Sequence, residues 1–287
     1  MIAVTGATGT IGSGLVEELV ARGRPVRALT RRAGEQPSRK GVDWVAADLA
    51  DRSGLAEALD GCAALFLLTG NTGDMVRLQK NAIRAAKRAG VDRVVKLSAL
   101  GATDHSRSVI GLWHHNVEWE LRDSGLSWTI LRPHHFMQNL LDPLIFDRAA
   151  GEIRSSAGDG AIPFIDTRDI GAVAARVLTE SGHEDETYTL TGPDALSYGE
   201  ATSILARVLD RPLEYRAESP DEAWRRRRNA GQPIWLAAAQ LAIAEYQREG
   251  GPTARTTDTV EALTGEPART LERFAEDYRQ ALLEPGS

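Results

Sequence analysis

Residues 111–120 read GLWHHNVEWE and place two adjacent histidines four and three positions before a glutamate, in a stretch with helical character. His114 and Glu118 then lie one turn apart on one helix face, where their side chains can form a hydrogen bond. A neighbouring carboxylate favours the protonated imidazole, whereas His115 points about 100° away and is expected to take less part. The stretch therefore predicts a ligand-binding or acid–base role for His114, with a purely structural helix face as the alternative.

The histidines also raise the question of a zinc site. The chain contains six histidines, among them the adjacent pairs at 114–115 and 134–135, and one cysteine, Cys62. Zinc sites use recurrent ligand spacings such as H-E-x-x-H or paired cysteines, and the sequence contains neither. We therefore expect no bound metal, and a single cysteine leaves no internal disulfide.

A second candidate site lies at the start of the chain, in VTGATGTIGSG. Its glycines Gly6, Gly9 and Gly12 follow a short apolar run and open a helical pattern. In a dinucleotide-binding turn the first glycine permits the tight bend, the second lets the backbone approach the diphosphate, and the third lets the helix pack on the strand. The helix N-terminus then offers free N–H groups to the phosphates. We expect a nucleotide here, with a glycine-rich turn that binds no ligand as the alternative.

The end of the next apolar run, VRALTRR, indicates which nucleotide binds. Folds that select NAD carry an acidic residue here for the ribose 2′-hydroxyl, but this sequence has Arg31 and Arg32. Guanidinium groups suit a 2′-phosphate through charge-assisted contacts, so we expect NADP(H), against the alternative of two surface arginines. Asp48 and Leu49, after the third apolar run, are candidate adenine contacts, although Asp48 suits a helix cap equally well.

Short apolar runs alternate with longer helical patterns through the first half of the chain. Six runs are predicted as strands: IAVTG (2–6), VRALT (26–30), WVAAD (44–48), ALFLLT (64–69), RVVKLS (93–98) and WTILR (128–132). Their nearly continuous apolar character is typical of buried parallel strands. The alternation predicts an α/β fold, a Rossmann-type doubly wound parallel sheet.

The rhythm of the sequence changes near residue 150. We predict an NADP-binding domain over residues 1–150 and a smaller, mostly helical C-terminal lobe over residues 151–287, forming one compact unit in which the lobe covers the ligand-binding edge of the sheet. Within this lobe, Ser197 and Glu200 have the spacing of a capping box at the start of a helix.

Composition restricts the classes of partner. The formal net charge of −6 does not favour nucleic acid, and no apolar run approaches the roughly 18 residues that span a bilayer. The N-terminus enters a strand directly and shows no signal peptide, so we expect a cytoplasmic protein, either a monomer or a homodimer. The one charge run, Arg225–Arg228, follows Asp221 and Glu222 by one turn and is predicted as a solvated helix face.

Four stretches, TGATGTIG, RVVKLSALGA, WHHNVEWELRDSGLSWTILRP and GDGAIPFIDTRDIGAVAA, together resemble the NmrA-like group of atypical short-chain dehydrogenase/reductases. The resemblance extends over nearly the whole chain, to TGEPARTLERFAEDY near its end. That group includes NADPH-dependent quinone reductases, triphenylmethane dye reductases and redox-sensing regulators. The motifs are specific for the superfamily and indicate the substrate poorly.

The resemblance also bears on the two histidines. Extended members of the superfamily carry Y-x-x-x-K on this helix, with a glutamate one turn after the lysine. Aligning that glutamate with Glu118 places His114 at the lysine position and Ile110 at the tyrosine position. The quinone and dye reductases show a similar H-x-x-x-E pattern. The resemblance therefore implies reduction without a tyrosine acid, with His114 binding the nicotinamide ribose hydroxyls.

The residues after the sixth run, RPHHFMQNL, are expected beside the nicotinamide. Aromatic and thioether side chains suit a flat, apolar acceptor, and His134 is a candidate proton donor near neutral pH; for Phe136 and Met137 a plain core role is the alternative. The predicted substrate pocket comprises Trp113, His134, His135, Phe136, Met137, Asn139 and Phe164. The predicted cofactor contacts are Gly6, Thr8, Gly9, Thr10, Ile11, Gly12, Arg31, Arg32, Asp48, Leu49, Thr69, Gly70, Ser98, His114, Pro133 and Phe136.

The sequence thus predicts an NADPH-dependent oxidoreductase that passes hydride to a small, flat, electron-poor acceptor such as a quinone, a dye, an imine-like compound or an enone. His114, Glu118 and His134 are the predicted catalytic residues, and the partner is a small molecule rather than a nucleic acid or a membrane. The alternative is a sensor that binds NADP(H) with little or no turnover and then a partner protein. Non-redox chemistry in secondary metabolism is a third possibility.

Overall fold

The computed structural model describes residues 1–284. It contains ten strands within that range: β1 (Ile2–Val4), β2 (Val26–Thr30), β3 (Val42–Ala46), β4 (Ala64–Leu67), β5 (Arg93–Leu97), β6 (Ser127–Pro133), β7 (Phe146–Asp147), β8 (Glu152–Ser155), β9 (Glu186–Leu190) and β10 (Glu214–Ala217). All six predicted strands are present, and β2 has the predicted bounds. The third begins and ends two residues before the predicted WVAAD.

The helices that join these strands also lie within residues 1–284. They are α1 (Thr10–Ala21), α2 (Arg52–Ala58), α3 (Met75–Arg88), α4 (Val109–Asp123), α5 (Thr167–Thr179), α6 (Tyr198–Leu209), α7 (Pro220–Asn229), α8 (Ile234–Glu249), α9 (Thr259–Thr264), α10 (Leu271–Asp277) and α11 (Arg279–Leu283). Short 3-10 turns occupy Ala33–Glu35, Met137–Leu141 and Gly251–Ala254. None of the described helices is long and apolar enough to cross a membrane.

The chain folds into two units. The first comprises Met1–Asp104, Ile110–Pro133 and Thr167–Thr189, and its sheet has the strand order β3-β2-β1-β4-β5-β6-β9. The pairs β2–β3, β1–β2, β1–β4, β4–β5 and β5–β6 are all parallel. The strand order reverses between β1 and β4, which is where ligands bind in doubly wound sheets. The predicted Rossmann-type fold with a helical C-terminal region is confirmed.

The division of the chain differs from a boundary at residue 150. The chain leaves the first unit after Pro133 and returns to it at Thr167. It returns because α5 packs closely on α1: a Cβ at Gly171 would lie 3.3 Å from the backbone nitrogen of Leu15. A boundary at residue 150 divides the chain into two contiguous domains. Such a division does not allow for α5, a helix from beyond that boundary, packing as part of the first unit.

The core of the first unit explains why its strands are so apolar. Side chains of β4 and β5, among them Leu65, Leu67 and Val94, are buried under α3 and α4, to which Val117 belongs. Strands covered in this way read as continuous apolar runs rather than alternating ones. One residue of β5 departs from the pattern, since Lys96 is fully buried.

The second unit contains His105–Val109, His134–Asp166 and the described chain from Leu190 onward. Its three-stranded sheet has the order β10-β8-β7, and its core includes Phe146, Phe164 and Phe274. The predicted capping box of α6 is confirmed, with the Ser197 side chain accepting from the Glu200 N–H and the Glu200 carboxylate accepting from the Ser197 N–H.

The arginine run on α7 is not the uniform solvated face that its charge pattern predicted. Arg225 is exposed, and its Nε donates to the backbone oxygen of Asp221 rather than to a carboxylate. Arg226 instead forms an ion pair with Glu218, whose side chain is only 4% exposed. The prediction is therefore wrong for Arg226, because a carboxylate that precedes the helix competes with those on its first turn.

Candidate functional site

The turn after β1 has the geometry that a diphosphate requires. Gly6 has a φ of +63°, a left-handed conformation that side chains other than glycine rarely adopt. A Cβ at Gly12 would lie 2.1 Å from the carbonyl oxygen of Gly6, so the first turn of α1 packs directly on the bend. The Thr5 hydroxyl donates to the carbonyl of Leu68 at 2.8 Å and joins the turn to the end of β4.

The N-terminus of α1 leaves its first amides available. Gly9 is the N-cap residue with an extended backbone, no side chain caps the helix, and its first turn contains no acidic residue. Thr8, Gly9 and Thr10 are exposed, whereas Ile11 is buried. The free N–H groups and the positive end of the helix dipole therefore suit an anion here.

Two exposed arginines follow β2 at the same edge of the sheet. Arg31 has an exposed side chain, and the Arg32 side chain is 74% exposed with a single ion pair to Glu35 at 3.4 Å. A pair so open to solvent contributes little, so both guanidinium groups can reorient toward a phosphate.

The segment after β3 shows that Asp48 is not the N-cap of the next helix. Asp51, not Asp48, is the N-cap of α2 and accepts from the N–H groups of Ser53 and Gly54. Asp48 is exposed, and the carbonyl of Leu49 accepts a 3.0 Å hydrogen bond from the Asn81 side chain. The segment is thus held in place by Asn81 and by the Ala50 N–H, which donates to Asp48 Oδ1 at 2.9 Å, and the second carboxylate oxygen of Asp48 can face a ligand.

Thr69, after β4, has an oriented hydroxyl. The Gln79 side-chain amide donates to its Oγ1 at 2.8 Å. Because an amide NH₂ can only donate, the Thr69 hydroxyl proton points elsewhere and is free for a ligand. Gly70 follows in an exposed position.

A buried polar cluster lies between β5, α4 and β6. Lys96 Nζ is 2.9 Å from His114 Nδ1 and donates to the Leu97 carbonyl at 3.1 Å. Ser98 Oγ donates to Glu118 Oε1 at 2.5 Å. One helical turn on α4 and the two-residue step from Lys96 on β5 to Ser98, which directly follows that strand, span nearly the same length, so the pairs 114–96 and 118–98 form successive rungs.

Glu118 is fully buried and charged. Arg132 Nε donates to its Oε1 at 2.9 Å, and Arg122 forms an ion pair with it at 3.2 Å. Burial alone would raise the pKa of Glu118, but the hydrogen bonds from Arg132 and Ser98 and the charges of Arg132 and Lys96 outweigh burial, so the pKa lies below its ordinary value.

The predicted bond between His114 and Glu118 is wrong. Within residues 1–284 no hydrogen bond joins them, because each side chain turns toward β5 rather than along the helix. Burial and then the charge of Lys96 lower the pKa of His114 well below its ordinary value. The imidazole is therefore neutral, the opposite of the protonated state that a helical carboxylate neighbour predicts.

His134 and His135, in the second unit, are also neutral. His134 Nδ1 accepts from the His135 N–H at 2.7 Å, and burial lowers its pKa to about 4 against the opposing effect of a hydrogen bond to the Thr253 backbone. Burial, with the charges of His134 and Arg227, lowers the pKa of His135 to about 3. An imidazolium form of His134 is thus not favoured near neutral pH, and its role as a proton donor stays a prediction.

His135 belongs to a polar and aromatic group that the sequence did not reveal. Its Nε2 lies 3.0 Å from the Tyr198 hydroxyl and 3.2 Å from Asn139 Nδ2. Phe164 contacts both rings edge-on, with centroids 5.6 Å from His135 and 5.4 Å from Tyr198. Burial raises the pKa of the Tyr198 phenol far above its ordinary value, so the hydroxyl remains a donor.

Burial decides between pocket and core for some of the predicted pocket residues. Met137 and Phe164 are each 1% exposed and belong to the core of the second unit, which is the alternative named for Met137. Phe136 and Trp113 are half-buried and retain surface for a ligand. Pro133 is buried at the end of β6.

Lys96, Arg132, Gln79 and Tyr198 are site residues that sequence reasoning missed. Lys96 had a usable signal: a single lysine inside RVVKLS, otherwise an apolar strand, is unusual because buried lysines are rare unless paired. Tyr198 had none, since nothing in the sequence links it to His135, 63 residues earlier. Within residues 1–284, no cluster of three or more His, Cys, Asp or Glu side chains is arranged to hold a metal ion.

Comparison with known proteins places this geometry among reductases. The model of the NmrA-like family matches residues 1–266. An NAD(P)H azoreductase from Xenophilus azovorans is 38% identical over 288 residues, covering 98% of this chain and 99% of the relative. A (4-alkanoyl-5-oxo-2,5-dihydrofuran-3-yl)methyl phosphate reductase from Streptomyces griseus is 38% identical over 283 residues, covering 98% and 99%. The structure of an NADPH-dependent quinone oxidoreductase from Escherichia coli complexed with NADPH has a TM-score of 0.86 and 29% identity, covering 96% and 99%.

Proposed function

Because the chain belongs to the NmrA-like family, we propose that it is an NADPH-dependent reductase that transfers hydride to a small, flat, electron-poor organic acceptor. The relatives are named as an azoreductase, a reductase of a dihydrofuranone phosphate and a quinone oxidoreductase. Azo groups, unsaturated lactones and quinones share a conjugated π system that accepts hydride and delocalises the resulting charge. This shared chemistry supports a conjugated acceptor here.

The observation that carries the proposal is the bend after β1. Gly6 adopts a left-handed conformation, and Gly12 packs on its carbonyl with no room for a Cβ. The bend lies where the strand order reverses, with free amides at the start of α1. These features together support a bound diphosphate.

The residues at this edge fit the rest of an NADPH molecule. Backbone amides between Gly6 and Gly12 would hold the diphosphate, and Arg31 and Arg32 would bind the 2′-phosphate. Asp48 and Leu49 would contact the adenine, and the Thr69 hydroxyl, oriented by Gln79, would donate to the nicotinamide ribose. When bound, the cofactor supplies the hydride, and these residues hold it in position.

The acceptor side requires no strong acid. Ile110 stands where extended relatives have a tyrosine, and it is buried and purely apolar. A conjugated acceptor disperses the charge that hydride brings, so a neutral donor is sufficient. His134, His135, Phe136 and Asn139 remain the predicted acceptor contacts. The proposed partner is therefore a small molecule. The proposed place of reaction is the cytoplasm, where NADPH is a common reductant.

Oxidation of NADPH by the purified protein tests this function. The panel comprises quinones, azo and triphenylmethane dyes and conjugated enones, with heat-denatured protein as the control. We expect acceptor-dependent NADPH oxidation that is slower with NADH. Tight NADPH binding with no oxidation across the whole panel would contradict the reductase and support the sensor instead.

A further inference from the structure

Lys96 stands in the middle of β5 with no exposed surface. Its Nζ contacts His114 Nδ1 at 2.9 Å and donates to the Leu97 carbonyl at 3.1 Å. Within residues 1–284 no carboxylate forms an ion pair with it. A lysine in this position requires an explanation, because burial penalises an ammonium group strongly.

The contact with His114 fixes which nitrogen of the imidazole carries the proton. An ammonium group has three donors and no acceptor, and a neutral imidazole has one of each. When Lys96 is charged, Nδ1 must accept from it, so the proton of His114 resides on Nε2. Nε2 makes no hydrogen bond within the described residues, and His114 retains 8% of its surface exposed. Of the two side chains, only His114 can therefore reach a ligand.

The surrounding charges favour one positive charge on the Lys96–His114 pair and oppose a second. Lys96 and His114 are faced by Glu118 and Arg122 on α4 and by Arg132 on β6. Glu118 is the one carboxylate among two arginines and the lysine. Burial lowers the pKa of Lys96 to about 7, against the attraction of Glu118. The pKa of His114 is depressed further, by burial and by Lys96 itself. The proton therefore resides on Lys96 rather than on His114 below about pH 7, and it leaves Lys96 readily near that pH.

We propose that Lys96 and His114 form a proton relay for the reduction, in which His114 donates from Nε2 to the acceptor and Lys96 replaces that proton through Nδ1. This inference rests on the proposed function. His114 is then the catalytic residue, and Lys96 is a positioning residue that fixes the tautomer and stores the proton.

The step balances without a charged imidazole. The C4–H bond of the nicotinamide would break, leaving NADP⁺, as its hydride forms one bond to the acceptor, and the displaced π electrons move to an oxygen or nitrogen of the conjugated system. The Nε2–H bond breaks as its proton binds that atom, while a proton moves from Nζ to Nδ1. Lys96 ends as a neutral amine and His114 as the opposite neutral tautomer. A proton from water on Nε2 and return of the Nδ1 proton to Nζ restore the pair.

The tautomer of His114 is tested first, by long-range ¹H–¹⁵N spectra of uniformly labelled protein below pH 7. The His114→Gln variant identifies the signal. We expect an unprotonated Nδ1 and a protonated Nε2. In Lys96→Met the Nδ1 partner is lost, so the ring should protonate at a higher pH than in the wild type. A wild-type Nδ1 that carries the proton overturns the relay, whatever the enzyme turns over.

Turnover is tested second, with Lys80→Met as a matched control, because Lys80 on α3 forms an ion pair with Glu120 of α4 at 3.1 Å rather than a contact with His114. Removing a general-acid pathway lowers rates by about 10²–10⁴-fold, so we expect kcat of Lys96→Met to fall at least ~100-fold with the NADPH Kd nearly unchanged. Wild-type kcat should fall as pH rises above about 7, where Lys96 loses its proton. Lys96→Met should lack that alkaline limb, and Lys80→Met should keep it.

The outcomes separate the relay from the function on which it rests. A Lys96→Met enzyme with wild-type kcat and the same alkaline limb overturns the relay and leaves the reductase intact. If Lys96→Met fails to fold, His114→Gln carries the kinetic test, since glutamine can donate but cannot pass a proton through its side chain. A wild-type protein that oxidises no NADPH with any acceptor overturns the proposed function, and the relay with it, even if the tautomer is as expected.

Discussion

Arg132 holds Glu118 at two points: its Nε donates to Oε1 at 2.9 Å and its Nη2 to Oε2 at 2.5 Å. The pair connects β6 to α4 beneath the loop that follows β5. Since Glu118 also accepts from Ser98, one buried carboxylate sets the position of three elements. His114 lies one turn away on the same helix, so its approach to Lys96 depends on this anchor.

Glu118→Gln should therefore destabilise the fold. The change leaves the Arg132 cation partly buried without its counterion, and breaking such a pair costs roughly 3 kcal/mol of unfolding free energy. Glu120→Gln is the matched control: Glu120 lies on the same helix but pairs with Lys80 and Arg84 near the surface, where the loss is about 0–1 kcal/mol. Urea unfolding of both variants measures the difference. Equal losses would mean that the buried pair is not the anchor.

Gly12→Ala should weaken NADPH binding. A Cβ at that position would lie 2.1 Å from the Gly6 carbonyl oxygen, so the bend must open. We expect the NADPH Kd to rise at least ~10-fold, since each factor of ten corresponds to about 1.4 kcal/mol. Gly14→Ala is the control, because a Cβ there meets nothing within 4 Å; it should retain affinity and gain about 0.5–1 kcal/mol of stability. Fluorescence titration decides, and an unaltered Kd for Gly12→Ala would contradict the assignment of the bend.

The Arg31→Ala, Arg32→Ala double variant tests cofactor selection. Each charge-assisted hydrogen bond contributes about 1.5–3 kcal/mol, so NADPH affinity should fall roughly 10- to 100-fold or more. NADH lacks the 2′-phosphate, and its affinity should change little. Arg39→Ala, which removes another partly exposed arginine paired with Glu17, should affect neither coenzyme. Equal losses for NADPH and NADH in the double variant would remove the 2′-phosphate assignment.

Stability should fall in mild acid. The pKa values of His114, His134 and His135 all lie below the ordinary value, so the unfolded chain binds protons that the folded chain does not. Their contribution is complete above about pH 6.5 and is lost as pH falls from there toward about pH 3, the folded-state pKa of His135. Three such groups give the free energy of unfolding a slope of at most about 4 kcal/mol per pH unit. The slope is expected to be smaller than this limit because His134 and His135 are partly exposed.

Urea unfolding at about pH 7 and pH 5.5 measures this loss. His114→Gln removes one of the three groups and should reduce the slope. Equal stability of the wild type at the two pH values would contradict the buried, neutral state of these imidazoles.

Periodicity and turn chemistry were sufficient to predict the sheet. Continuous apolar runs indicate strands covered on both faces, and β2, β4 and β5 begin at the predicted residues. The glycine spacing also predicted the bend at Gly6, because a tight turn depends on residues that are close together in the sequence. The return of α5 to the first unit was not predictable in this way, because it depends on the fit between Gly171 and Leu15, more than 150 residues apart.

The candidate site shows the same limit in its side chains. The spacing of His114 and Glu118 correctly places both on one helix face, but spacing along a helix does not reveal what the face meets. Lys96 on β5 and Ser98 directly after it offer nearer partners than the helix itself. The pKa shift of His114 was therefore predicted in the wrong direction, because burial of the ring and then the charge of Lys96, a cation on another element, lower its pKa.

Titration calorimetry of the purified protein with NADPH and, separately, NADH tests the central claim most directly. The account predicts one NADPH bound per chain, with NADH weaker by at least ~10-fold because it lacks the phosphate that Arg31 and Arg32 would bind. A protein that gives no binding heat with either coenzyme over a range of temperatures would contradict the assignment of the bend at Gly6, and with it the proposed reduction.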